Sequence, residues 1–225
     1  MSENNTTAVS SKSDWKIPIW LLVLTFIPMA AGISRLIGLS GGVTVSPENS
    51  RFFEAPVPIV IHIISVCFNC VFGAFQFSAG LRKRNLTWHR ITGRLLIPAG
   101  ILSALSGLWM TVLYPIPFQQ QGPPLMYFRI FVAVAMVTSL VLGFTTILKR
   151  KISEHSAWMI RAYALGQGAG TQVITLLPFM LLIGEPSQFT RDMLMILAWV
   201  INMGIGEWII RRKTKPKLRL NPVVA

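Results

Sequence analysis

Six long apolar stretches, separated by short polar loops, confine this chain to one class of fold. They run Ile17–Leu39, Val57–Leu81, Leu95–Pro117, Tyr127–Leu148, Ala162–Gly184 and Met193–Ile210. A helix rises about 1.5 Å per residue, so roughly 20 apolar residues cross the hydrocarbon of a bilayer. Each stretch reaches or approaches that length. The chain is 52% hydrophobic and 13% charged, with a mean hydropathy of +0.57, which fits the same class. The expectation is an all-α, polytopic six-helix transmembrane bundle.

Charge gives it an orientation. Of 21 Lys and Arg, 17 fall in the N-terminal tail, in the loops after the second and fourth stretches, and in the C-terminal tail. Only Arg35, Arg51, Arg129 and Arg191 lie elsewhere. Basic residues beside spans are retained in the cytoplasm, so both termini are expected inside. The loops are too short to fold separately, which leaves one membrane domain, 17–210, between a polar tail, 1–16, and a basic tail, 211–225. The N-terminus is polar and the first apolar run exceeds a signal-peptide core, so the first helix is expected to stay as an anchor. Trp15, Trp20, Trp88, Trp158 and Trp208 fall near the inner boundaries, with Tyr114 and Tyr127 near outer ones, as amphipathic rings prefer.

The net charge of +13 is no nucleic-acid signature. It sits in juxtamembrane runs (Arg82-Lys83-Arg84, Lys149-Arg150-Lys151, and Arg211 through Arg219) that attract anionic headgroups by about 1 kcal/mol per charge. A nucleic-acid surface would need a broad face with interleaved aromatics, which no loop here is long enough to present. The expected partners are the lipid bilayer, anionic headgroups at the inner face, and a membrane protein or a second copy of the chain. No nucleic acid is expected.

The two basic loops share a pattern. Arg82-Lys83-Arg84 is followed by Trp88-His89-Arg90 and Gly93-Arg94, and Lys149-Arg150-Lys151 by Glu154-His155 and Trp158-Met159-Ile160-Arg161. A duplicated helix hairpin (helices two–three and four–five) would produce this, and so would selection for positive charge on the inner side. Cys67 and Cys70 lie one turn apart near mid-membrane, which suits packing rather than a redox dithiol. The run Gly166-Gln167-Gly168-Ala169-Gly170 lies within an apolar stretch with no preceding strand. It reads as close helix approach, not as a nucleotide loop. Pro28, Pro98 and Pro178 fall inside spans and should kink them.

Three histidines carry the available chemistry. His62 lies inside the outer end of the second helix, whereas His89 and His155 lie at the inner face, just before helices three and five. Two histidines meeting there can ligate a haem iron axially or hold a metal, with Arg90, Arg94 and Arg161 pairing propionates or lipid phosphates. Hydrogen bonds to backbone or headgroups would equally explain them. His62 is expected to act apart from the other two, because roughly 28 Å of helix separates it from the inner boundary. Asn69, Gln76, Gln167, Gln172, Asn202 and Glu207 line a polar path or bridge helices, and Glu207 is expected to pair locally with Arg211. No set of residues reads as catalytic.

The series His62, Gln76-Phe77-Ser78, Arg82, His89-Arg90, Gly93-Arg94, then His155, Trp158-Met159-Ile160-Arg161, Tyr163 and Glu207 through Arg212 resembles a known group. It is that of the bacterial predicted membrane proteins classed as domain of unknown function 2306. The resemblance implies a bacterial inner-membrane location and points to these residues without naming a reaction. A looser likeness is to six-helix di-haem cytochromes b. Those need four histidines in two pairs, so three allow one complete bis-histidine site. The functional expectations are therefore a haem b or metal-binding protein that handles electrons or assists respiratory assembly, with metal candidates His89, His155 and His62. A transporter or anionic-ligand binder, and a structural or regulatory subunit, stand beside it.

Overall fold

The computed structural model describes residues 15–214, and these are helical throughout apart from turns and short loops. Most of the two expected tails lies outside the described residues. The first helix, α1 (Lys16–Ile37), runs through Pro28 and closes in a π-helical turn, Gly38–Gly42, whose Gly41 has φ 119°. A short α2 (Ser50–Glu54) crosses the following loop. Then come α3 (Pro56–Gln76), α4 (Ala79–Arg84), α5 (Leu86–Leu113), α6 (Pro123–Leu148), α7 (Ile152–Gly166), α8 (Gly168–Leu182) and α9 (Gln188–Thr214).

Five of these helices are long and apolar enough to cross a bilayer, and α7 with α8, bent by 40° at Gln167, passes the same test only as a pair, which makes the count five or six. The outward surface confirms the solvent. Trp20, Phe26, Leu181 and Leu182 are all largely exposed, an arrangement a water-soluble bundle would not tolerate over so much of its surface.

Helices α3, α5, α6 and α7 pack in a closed ring of neighbours. Alongside it, α1 lies on α3 and α8, and α9 lies on α6, α7 and α8. Ala104, Val132, Met136, Leu140, Ala162 and Leu165 fill the middle of the ring. A second apolar cluster, Phe52, Ile59, Ile63 and Tyr114, joins α2 to the adjacent ends of α3 and α5. The clusters Arg82–Arg94, Lys149–Arg161 and Arg211–Lys213 share one end of the bundle, called here the basic end; the opposite one is the far end.

Local signals set the boundaries, and several differ from the sequence expectation: the second stretch ends at Gln76 instead of Leu81, and α6 and α9 begin at Pro123 and Gln188 instead of Tyr127 and Met193. Helix α5 begins at Leu86 rather than Leu95, because the Asn85 side chain accepts the Trp88 N–H at 2.9 Å and caps it. Helix α7 begins at Ile152 rather than Ala162, with Glu154 in its first turn, where a carboxylate meets the positive end of the helix dipole. His89 and His155 therefore stand on first turns of helices instead of in loops. The apolar stretch expected to run unbroken to Gly184 is divided at Gln167. There, close approach demands glycine. A Cβ on Gly168 would enter the Trp199 ring, and one on Gly170 would come within 2.5 Å of the Leu24 carbonyl of α1.

Candidate functional site

At the basic end, the helices bring two imidazoles, His89 and His155, within electrostatic reach of each other. His155 on α7 places Nδ1 2.7 Å from the Gly143 carbonyl of α6. The carbonyl can only accept, so Nδ1 carries the proton, and in the neutral ring Nε2 keeps its lone pair. His89, half-buried on α5, has a buried Nδ1 with no hydrogen-bond partner. His155, Arg82 and Arg90 are the charged or titratable groups within electrostatic reach of His89. A buried ring nitrogen left open costs about 1–3 kcal/mol, so a group that fills the gap stabilises the bundle.

Polar contacts tie the neighbouring helices at this level. Gln76 of α3 donates to the Thr92 hydroxyl of α5 at 2.5 Å, and Thr92 in turn donates to the Trp88 carbonyl at 2.7 Å. Tyr163 of α7 packs against Phe77 and donates its hydroxyl to the Cys70 carbonyl of α3 at 3.3 Å. Arg161 holds Glu207 of α9 with two bonds, Nε to Oε1 at 2.5 Å and Nη2 to Oε2 at 3.1 Å, while lying over the Trp158 ring. Glu207 thus takes its bidentate partner from another helix, with Arg211 one turn away also within electrostatic reach. A groove of about 360 Å³ between α6, α7 and α9 opens beside this pair, lined largely by apolar groups such as Phe131, Leu165 and Met203. Arg90 and Arg94 are exposed on α5.

His62 stands elsewhere. Its Nδ1 lies 3.0 Å from the Ser103 carbonyl and 3.2 Å from the Ser106 hydroxyl, both on α5. Ser103 is roughly 20 Å along that helix from His89. His62 reads as a neutral ring bonded between two helices.

The break in the sixth span gathers a polar group in mid-bundle. Gln167 and Asn202 are buried, and Gln167 Oε1 and Asn202 Nδ2 have no partner. Thr171 donates to Asn202 Oδ1 at 2.8 Å, and Trp199 donates to the Leu165 carbonyl that the break exposes, at 3.1 Å. Gln172 reaches the Met195 carbonyl at 3.5 Å and Asn69 bonds Ser65 within its own helix, so these two bridge or cap backbone.

The far end holds a constellation that sequence reasoning passed over. Arg35 and Arg51 both lie over the Phe52 ring, at 4.3 and 4.6 Å from its centroid. Arg51 donates to Gln120 Oε1 at 2.8 Å, and Arg129 donates to Gln121 Oε1 at 2.5 Å. Asp192, with no exposed surface, accepts from the Gly122 N–H at 3.3 Å and the Gln188 amide at 2.6 Å. The signal was available: these are the arginines that break the charge asymmetry, and charge at spans marks function by default.

Fold, surface and charge together define a polytopic helical membrane protein. The chain belongs to the predicted membrane protein family DUF2306, whose family model matches residues 59–210. All three histidines and Arg90, Arg94, Arg161 and Glu207 lie within that match. No curated protein and no solved structure matches the chain.

Proposed function

We propose that this protein is a bacterial inner-membrane electron-handling protein that binds one haem b at its basic end, with His89 and His155 as axial ligands. What supports the reading is a His155 whose Nδ1 is committed to the Gly143 carbonyl, on a helix that comes within electrostatic reach of the half-buried His89. A metal-binding histidine usually donates its second nitrogen to a carbonyl or carboxylate, which fixes the tautomer and aims the ligating lone pair. His155 has that arrangement.

The donor set favours haem over a bare ion. A metal ion held directly takes three or four protein ligands, and among the described residues no three His, Cys, Asp or Glu side chains gather to supply them. Two axial imidazoles suffice for haem. Haem in such a site supplies one-electron transfer. The chain's own residues orient the His155 imidazole through Gly143, tie the helices with Gln76, Thr92 and Tyr163, and offer Arg82, Arg90 and Arg94 to carboxylates. With positive charge retained inside, the basic end faces the cytoplasm and meets its anionic headgroups.

The test is an absorption spectrum of the detergent-purified protein from cells supplied with a haem precursor, alongside metal analysis. A Soret band with iron supports the reading, and a colourless preparation contradicts it. A second reading, passage of a polar solute, is favoured by the helix break at Gln167, since interrupted spans present free backbone and polar groups to a substrate. Uptake into proteoliposomes that is lost in Gln167→Leu would support it, and no uptake above empty vesicles would remove it.

A further inference from the structure

We propose that the far end binds a phosphate group, seated on Arg51 and Arg129 with Arg35 beside them. Three features of one region point there. First, the cations lack anions. The ion pairs among the described residues are Lys151–Glu154 and Arg161–Glu207, both at the basic end. Arg35, Arg51, Arg129 and Arg191 have none. The exposed Glu48, Glu54 and Glu185 of the far end pair with none of them, and Glu48 bonds Ser46 instead.

Second, the arginines are held in place by neutral oxygens. Gln120 and Gln121 are consecutive residues on a turn closed by their own N–H bonds to the Pro117 carbonyl. One receives Arg51 and the other Arg129, so the turn sets two guanidiniums side by side. Gln121 is itself fixed, donating to the Thr111 carbonyl at 3.1 Å. Amide oxygens orient a guanidinium without neutralising it. Asp192 is in electrostatic reach of Arg129, as are Arg51 and Arg191, and with its oxygens accepting from Gly122 and Gln188 it supplies a single negative charge to the group. A buried cation without a counter-charge is costly, and one carboxylate does not balance this group.

Third, Arg51 is only 8% exposed and its Nη1 is buried with no partner. Its Nη2 is spent on Gln120 and its face on Phe52. The geometry therefore leaves a directed donor, on a fixed guanidinium, beside a second, partly buried one. A tetrahedral oxyanion takes donors from several guanidiniums at once, which suits arginine better than any other side chain. Arg35, near the end of α1 and exposed, supplies a flexible third contact. The phosphate is that of a lipid headgroup or of free phosphate.

Two arms separate those sources, both on the full chain in detergent. Native mass spectrometry after delipidation and addition of phosphatidylglycerol measures headgroup binding, and a thermal-shift titration with inorganic phosphate measures the free ion. Saturable binding in one arm is expected, weakened about tenfold in Arg51→Gln and Arg129→Gln and partly restored in Arg51→Lys. Lys16→Gln, at the exposed start of α1, should bind as the parent does. If Arg51→Gln does not fold, the exposed Arg35→Gln decides, with a weakening of several-fold expected. No saturable binding in either arm overturns the proposal. So does binding that survives unchanged in Arg35→Gln and Arg51→Lys, or that falls equally in Lys16→Gln. The haem spectrum should be the same in all these variants.

Discussion

His155 on α7 donates its Nδ1–H to the main-chain carbonyl of Gly143 on α6 across 2.7 Å. That bond fixes one tautomer of one ring. In ¹⁵N-histidine-labelled protein without haem, the His155 resonances should report a protonated Nδ1 and a bare Nε2. The opposite pattern would mean that the lone pair points to Gly143 and that the ring is wrongly set for ligation.

Gly170 separates packing from composition. A side chain there meets the Leu24 backbone, which cannot give way as a side-chain tip would. Gly170→Leu should destabilise the protein by about 1–3 kcal/mol, the usual cost of overpacking. Gly204→Ala on α9, where nothing lies within 4 Å, should leave stability unchanged within about 0.5 kcal/mol. Thermal unfolding in detergent compares the two.

Tyr114 closes the far end by donating its hydroxyl to the Ala55 carbonyl at 2.5 Å, with its ring edge-on to Phe52. Tyr114→Phe should cost about 1 kcal/mol. Burial raises the hydroxyl above the usual tyrosine range. The folded state therefore holds this proton more tightly than the unfolded one. The contribution is complete below the ordinary pKa of about 10 and is lost as pH rises through the raised folded value. Stability measured across that window should fall more steeply in the parent than in Tyr114→Phe.

The six apolar stretches and the gathering of basic residues at one end were legible because hydropathy and charge are local signals. The starts of α5 and α7 were not. Leu86–Arg94 and Ile152–Arg161 mix Trp, His and Arg with apolar residues at helical spacing, which reads as loop to a test of hydropathy alone. The break at Gln167 was hidden for the opposite reason, since Gly166–Gly170 keeps the stretch apolar enough to look continuous. His89, His155 and the arginines near them could be singled out as polar residues at a boundary. The Glu207–Arg161 bond and the far-end group, drawn from Arg35, Arg51, Gln120, Gln121, Arg129 and Asp192, depend on which helices become neighbours.

Orientation is a separate prediction. Reporter fusions or cysteine labelling should place the segment 79–90 in the cytoplasm and the turn at Gln120 outside. The reverse result would put the histidine pair on the outer side and contradict a basic end that faces the cytoplasm.

The most direct test is the haem content of four proteins purified side by side. The parent and His62→Ala should each carry one haem per chain with a low-spin Soret band. His89→Ala and His155→Ala should each lose the haem or turn it high-spin, because one axial bond is gone. A parent without haem, or a spectrum that His89→Ala and His155→Ala leave unchanged while His62→Ala abolishes it, would contradict the account.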